Sequence, residues 1–64
     1  VHISPSAVLC GNVQVNDFSW VGANAVIIEG VKVTDSVVIG AGSVVLNKID
    51  IKGTYAGNPA KMLI

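Results

Sequence analysis

Gly22-Ala23-Asn24-Ala25-Val26-Ile27-Ile28-Glu29-Gly30-Val31-Lys32-Val33-Thr34-Asp35-Ser36-Val37-Val38-Ile39-Gly40-Ala41-Gly42-Ser43-Val44-Val45 repeats its chemistry every six residues. Ile27, Val33, Ile39 and Val45 recur at that spacing; Ile3, Leu9, Val15 and Val21 precede them, and Ile51 follows. All nine positions are Ile, Leu or Val. Two residues earlier in each hexad stand Val1, Ala7, Val13, Ser19, Ala25, Val31, Val37, Ser43 and Ile49, all small or aliphatic. Residues two apart on a strand share a face, so both sets point inward and the residue between them points outward. The remaining positions collect turn formers, as in Cys10-Gly11-Asn12, Asn16-Asp17-Phe18, Thr34-Asp35-Ser36 and Gly40-Ala41-Gly42. Glycine, Asn, Asp and Ser tolerate or stabilise turns. Each hexad is one short strand and one corner. A helix would need apolar spacings of three and four, which are absent.

Composition agrees with many short strands in one small unit. The chain has 64 residues and a mass of 6.6 kDa, room for a single domain. Val, Ile and Leu make 22 of the 64 residues, beside only one Phe, one Trp and one Tyr. With 52% hydrophobic and 12% charged residues the chain is not a disordered segment. A net charge of zero lacks the positive field of a nucleic-acid binder. Apolar runs such as Ala25-Val26-Ile27-Ile28 end far short of the roughly 20 residues that span a bilayer as a helix. No basic stretch followed by an apolar one opens the chain, so no signal peptide is visible. We therefore expect neither a nucleic-acid nor a membrane partner. Cys10, alone, cannot form an internal disulfide, which points to a cytoplasmic address.

Short strands joined by corners stack into a β-solenoid whose coils pair about 4.8 Å apart. In this pattern the chain resembles the hexapeptide-repeat acyltransferases. The resemblance covers residues 3–51, and Gly57-Asn58-Pro59-Ala60-Lys61 is similar to the segment that ends the coil in many of these enzymes. It implies an all-β, left-handed parallel β-helix of about three coils over residues 1–51, three hexads to a triangular coil, with residues 52–64 as a tail. The left hand comes from the resemblance alone, because parallel crossovers in general are right-handed. The chain opens mid-pattern at Val1-His2-Ile3, which reads as part of a longer β-helix.

Eighteen residues per coil would stack outward residues in columns. Val8, Val26 and Val44 form one, Gln14, Lys32 and Asp50 a second, and Trp20 and Val38 begin a third. The corner column Cys10, Ile28 and Leu46 adds another apolar ridge. Two faces are apolar outside as well as inside, and contiguous exposed apolar surface marks interfaces. Two covered faces and one wet face fit a homotrimer.

The only histidine is His2. A neutral imidazole can accept a proton from an attacking hydroxyl or amine, as acyl transfer from a thioester requires. His2-Ile3-Ser4-Pro5-Ser6-Ala7, followed by Gly11-Asn12-Val13, resembles the sugar O- and N-acetyltransferases of the sialic-acid and bacillosamine type. That resemblance makes His2 the second histidine of the site, one that positions substrate or acetyl group. The catalytic base is then expected upstream of Val1. It also assigns acetyl-CoA as co-substrate, with no permanently bound cofactor, and a sugar or amino sugar as acceptor. Gly11 matches the corner whose amide meets the acetyl group, and Ala41 a corner amide along the pantetheine arm.

Other chemistry finds little support in the sequence. A β-helical carbonic anhydrase would need three histidines for zinc, and an ice-binding solenoid regular threonine arrays; Thr34 and Thr54 stand alone. Asp17, Glu29, Asp35 and Asp50 fall in different hexads without a close pair. Cys10 reads as an apolar corner filler, since a nucleophilic thiol wants a nearby base or cation. Lys48, Lys52 and Lys61, gathered near the C-terminal end, could meet coenzyme A phosphates or simply be solvated. The alternative to an enzyme is a structural β-helix segment that trimerises and has no activity of its own.

Overall fold

A computed structural model of the protein describes residues 1–63. It contains ten short strands: β1 (His2–Ile3), β2 (Val8–Leu9), β3 (Gln14–Val15), β4 (Trp20–Val21), β5 (Val26–Ile27), β6 (Lys32–Val33), β7 (Val37–Ile39), β8 (Val44–Val45), β9 (Gly53–Ala56) and β10 (Lys61–Met62). They form the three faces of a prism. Face A is β1-β4-β7-β9-β10, face B is β2-β5-β8, and face C is β3-β6. Stacked strands pair in parallel; only the β9–β10 hairpin is antiparallel.

Through two turns the register is the expected eighteen residues. His2 pairs with Trp20 and Trp20 with Val38 on face A, Val8 with Val26 and Val26 with Val44 on face B, and Gln14 with Lys32 on face C. Inside, Val21, Ile27, Val33, Ile39 and Val45 are fully buried, with Ala25, Val31 and Val37 beside them. Ser19 and Ser43 are buried too, and each hydroxyl is used. The Ser19 hydroxyl donates to the Thr34 carbonyl (2.8 Å) and accepts from the Val37 N–H; Ser43 Oγ accepts from the Gly57 N–H (3.2 Å). These bonds remove the desolvation cost that a hydroxyl in an apolar core otherwise carries. In the first coil Leu9 and Val15 are only half-buried and Ile3 is exposed, because no described coil lies above them.

The corners explain the period. Ser6, Asn12, Phe18, Asn24, Gly30, Ser36 and Gly42, one residue in every six, have φ between 59° and 77°. At four corners a turn bond closes around this residue: Ala7 N–H to Ser4, Ala25 to Gly22, Val31 to Ile28 and Ser43 to Gly40. A bond from residue i+3 to residue i with positive φ at i+2 is the type II pattern, which favours Gly and Asn there; Pro5 occupies the favoured i+1 place of the first. Each left-handed N–H then reaches the coil above: Asn24 to the Pro5 carbonyl, Gly30 to Gly11, Ser36 to Asp17 and Gly42 to Ala23.

The third coil departs from the period. Ile49 pairs with Val33, Val38 with Thr54 and Ile39 with Tyr55, a spacing of sixteen. Ile49, buried, takes the place beneath Val33 that the period assigns to Ile51, and Ile51 is 61% exposed. Asp50 therefore does not stack under Lys32, and no strand is centred on it. The break falls where the left-handed corners stop: Lys48 holds the sixth place after Gly42, and its φ is not positive. A bulky side chain there would cost about 1–2 kcal/mol, and the shortened turn avoids that conformation. Gly53–Ala56, in the stretch read as tail, stacks in parallel beneath β7.

Two substitutions test the corner account. A methyl group on Gly22 would sit 2.6 Å from the Ala41 nitrogen and 2.7 Å from the Ile39 carbonyl oxygen, both backbone atoms of the next coil. Gly22→Ala should therefore destabilise the fold by about 2 kcal/mol or more in urea unfolding; an unchanged midpoint would contradict the close stacking. Phe18 is left-handed (φ 61°) and 84% exposed, so it carries the steric cost with little burial in return. Phe18→Asn should raise stability by about 1 kcal/mol, and a loss of stability would show that the ring has a packing role.

Candidate functional site

Face A carries the one aromatic–imidazole pair. Because β1 and β4 run in register, His2 lies over Trp20, and their rings stack with centroids 3.9 Å apart and planes 21° from parallel. Both rings are solvent-accessible, and the column continues through Val38 to Thr54. Stacking fixes the plane of the imidazole while leaving its edge, where both nitrogens lie, to meet a ligand. The eighteen-residue column alone sets Trp20 beneath His2.

Gly11 is at the corner between faces B and C of the first coil. Its carbonyl accepts from the Gly30 N–H at 2.9 Å, whereas its own N–H donates to no backbone carbonyl among the described residues. A Cβ there would meet nothing within 4 Å, so the side-chain face of this corner is open. Ala41 is at the corner between faces A and B of the third coil, and its N–H likewise has no backbone acceptor among the described residues. That nitrogen lies directly beneath the buried Gly22, where an added Cβ would meet it at 2.6 Å. Gly22 was read as a turn residue only; its second duty appears when coils are stacked.

Within one chain these three residues do not converge. His2 is on face A, Gly11 at the B–C corner and Ala41 at the A–B corner two coils away. Cys10 is half-buried at the B–C corner, on a different part of the prism from His2, so the two form no thiol–imidazole pair. Among the described residues no three His, Cys, Asp or Glu side chains gather as a metal site would require. Lys52 and Lys61 flank β9 and β10 at the C-terminal end, while Lys48 opens onto face C.

Comparison with known proteins bears on this arrangement. A family model described as bacterial transferase hexapeptide (six repeats) matches residues 12–47. No curated protein matches the sequence. Among solved structures, the acetyltransferase domain of PglB from Neisseria gonorrhoeae FA1090 superposes with a TM-score of 0.94 at 42% identity, covering 97% of this chain and 30% of that one. PerB from Caulobacter crescentus, solved with CoA and GDP-perosamine, gives 0.93 at 31% identity, covering 98% of this chain and 30% of its own. A serine acetyltransferase in complex with CoA gives 0.87 at 35% identity, over 95% of this chain and 27% of the other. The present chain thus spans under a third of the length of these proteins. The family model runs through the stretch where left-handed corners and eighteen-residue register coincide. The chain belongs to the hexapeptide-repeat family of bacterial transferases and folds as their left-handed parallel β-helix.

Proposed function

We propose that this segment serves an acetyl-CoA-dependent acetyltransferase acting on a sugar or amino sugar, working as a homotrimer. The observation that carries the reading is the superposition of nearly all of this chain, at 42% and 31% identity, on about a third of two acetyltransferases, one of them holding CoA and GDP-perosamine. The stacked His2–Trp20 pair and two corner amides without a backbone acceptor are the kinds of group that reaction uses.

In the reaction the acceptor hydroxyl or amine attacks the thioester carbonyl of acetyl-CoA. A base takes the acceptor's proton, and CoA leaves as the thiolate. The base is assigned to a residue upstream of Val1, and His2, held flat on Trp20, positions acceptor or acetyl group. The Gly11 amide is suited to the developing oxyanion, because a donor fixed on a glycine corner needs no reorganisation as charge appears. The Ala41 amide would hold the pantetheine arm. In the homotrimer a corner of one subunit faces its neighbour. Exposed Val8, Trp20 and Val38 on faces A and B offer the apolar surface for that contact, while face C stays wet.

One observation favours a purely structural role for the segment: His2, Gly11 and Ala41 form no site within a single chain. Titration with acetyl-CoA separates the two readings. Saturable binding that depends on assembly supports the enzyme, and absence of binding by an assembled trimer supports the scaffold.

In a protein that contains the upstream base, His2→Ala should lower kcat/KM by roughly five- to a hundred-fold, the worth of about 1–3 kcal/mol of positioning. Replacing the base should cost more, and the present 64 residues alone should show little turnover. Steady-state kinetics on the three proteins checks this, and robust activity from the segment alone would move the base into it. Val26→Lys places a charge on the face B ridge and should dissociate the trimer, since an unpaired buried charge costs several kcal/mol. Sedimentation showing the same mass for wild type and variant would refute the interface.

A further inference from the structure

The register break on face C changes which charges are neighbours. With eighteen residues per turn, Lys32 would stack on Asp50, an opposite pair across adjacent strands that is mildly stabilising. Instead Val33 pairs with Ile49; the Ile49 N–H donates to the Lys32 carbonyl (2.9 Å) and the Thr34 N–H to the Ile49 carbonyl (2.8 Å). Extended by one residue each way, that register sets Lys48 beneath Lys32 and Asp50 beneath Thr34. Two ammonium groups now share a column, an arrangement that is unfavourable between adjacent strands unless an anion lies between them.

The same break opens a concavity of about 240 Å³ on this face. Lys32 and Lys48 line it with Gln14, Asn16, Thr34 and Asp50, while Val33 and Ile49 behind them are buried in the core. Gln14 Nε2 donates to Asn16 Oδ1 at 3.2 Å, which orients both amides and leaves the Gln14 oxygen and the Asn16 nitrogen for a ligand. Thr34 donates its hydroxyl proton to Asp35 at 3.1 Å, so its oxygen is an acceptor. The cleft therefore offers two cations beside a set of oriented donors and acceptors. Its size falls below the roughly 300 Å³ at which drug-sized sites begin.

We propose that face C is a binding site for a glycosyl phosphate, with Lys32 and Lys48 taking the phosphate, and the amides and Thr34 the sugar hydroxyls. The site is separate from the His2 face and does not rest on the acetyltransferase reading.

Titration of the ¹⁵N-labelled protein with glucose 1-phosphate, followed by amide shifts, tests it. Shifts should concentrate at residues 14–16, 32–34 and 48–50. Inorganic phosphate and methyl glucoside, carrying one half of the ligand each, should bind about tenfold more weakly or less. Lys48→Gln should weaken glucose 1-phosphate about fivefold, and raised salt should weaken it further. Asp50→Asn, which removes the one carboxylate of the cleft, should tighten binding, a gain that a misfolded protein cannot imitate. Equal binding of inorganic phosphate and glucose 1-phosphate overturns the sugar part. Shifts confined to other faces, or no response to Lys48→Gln and Asp50→Asn in a protein that keeps its amide dispersion, overturn the site.

Discussion

Everything in this molecule depends on one backbone conformation recurring at the corners. A left-handed residue at every sixth position turns the chain and aims an N–H at the coil above. Those bonds set the vertices of the prism over one another, and only then do the strands meet in register and the inward aliphatics stack in columns. L-residues resist this conformation, so the sequence concentrates Asn and Gly there, at Asn12, Asn24, Gly30 and Gly42. Ser6, Ser36 and above all Phe18 adopt it under the constraint of neighbouring coils. When the run ends at Lys48 the geometry of the next turn changes with it.

Strand alternation makes inside and outside independent. One residue per strand pair faces the column of Val, Ile and Leu, and the next is free to vary without disturbing it. The three faces can therefore differ: an aromatic and imidazole stack on A, a valine ridge on B, and amides with lysines on C. A compact core of small aliphatics thus presents three surfaces of unrelated chemistry.

Much of this was legible from residue types alone. The hexad predicted the inward set, and Val21, Ile27, Val33, Ile39 and Val45 are buried as it requires. It predicted the pairings of residue 8 with 26 and 14 with 32. The slip in the third turn was hidden for a physical reason. Ile49 and Ile51 are the same residue two positions apart, both have inward phase, and nothing local says which will sit beneath Val33. Close approach was hidden as well: Gly22 reads as any turn glycine until the Ala41 nitrogen is placed beneath it. The candidate site was the least legible part, since His2, Gly11 and Ala41 lie on different faces and corners of the prism and no short motif joins them.

The two-residue slip carries a rule about length. Shortening a turn by two returns each strand to the same side of the wall, so Ile49, Val38 and Tyr55 meet partners without exchanging interior for exterior. Shortening it by one would invert the alternation and drive Asp50 into the aliphatic column. Deletions and insertions within a strand of this solenoid are thus tolerated by parity. An even change relocates a surface column, as it relocated the lysines, whereas an odd one must be absorbed at a corner or it dismantles the core.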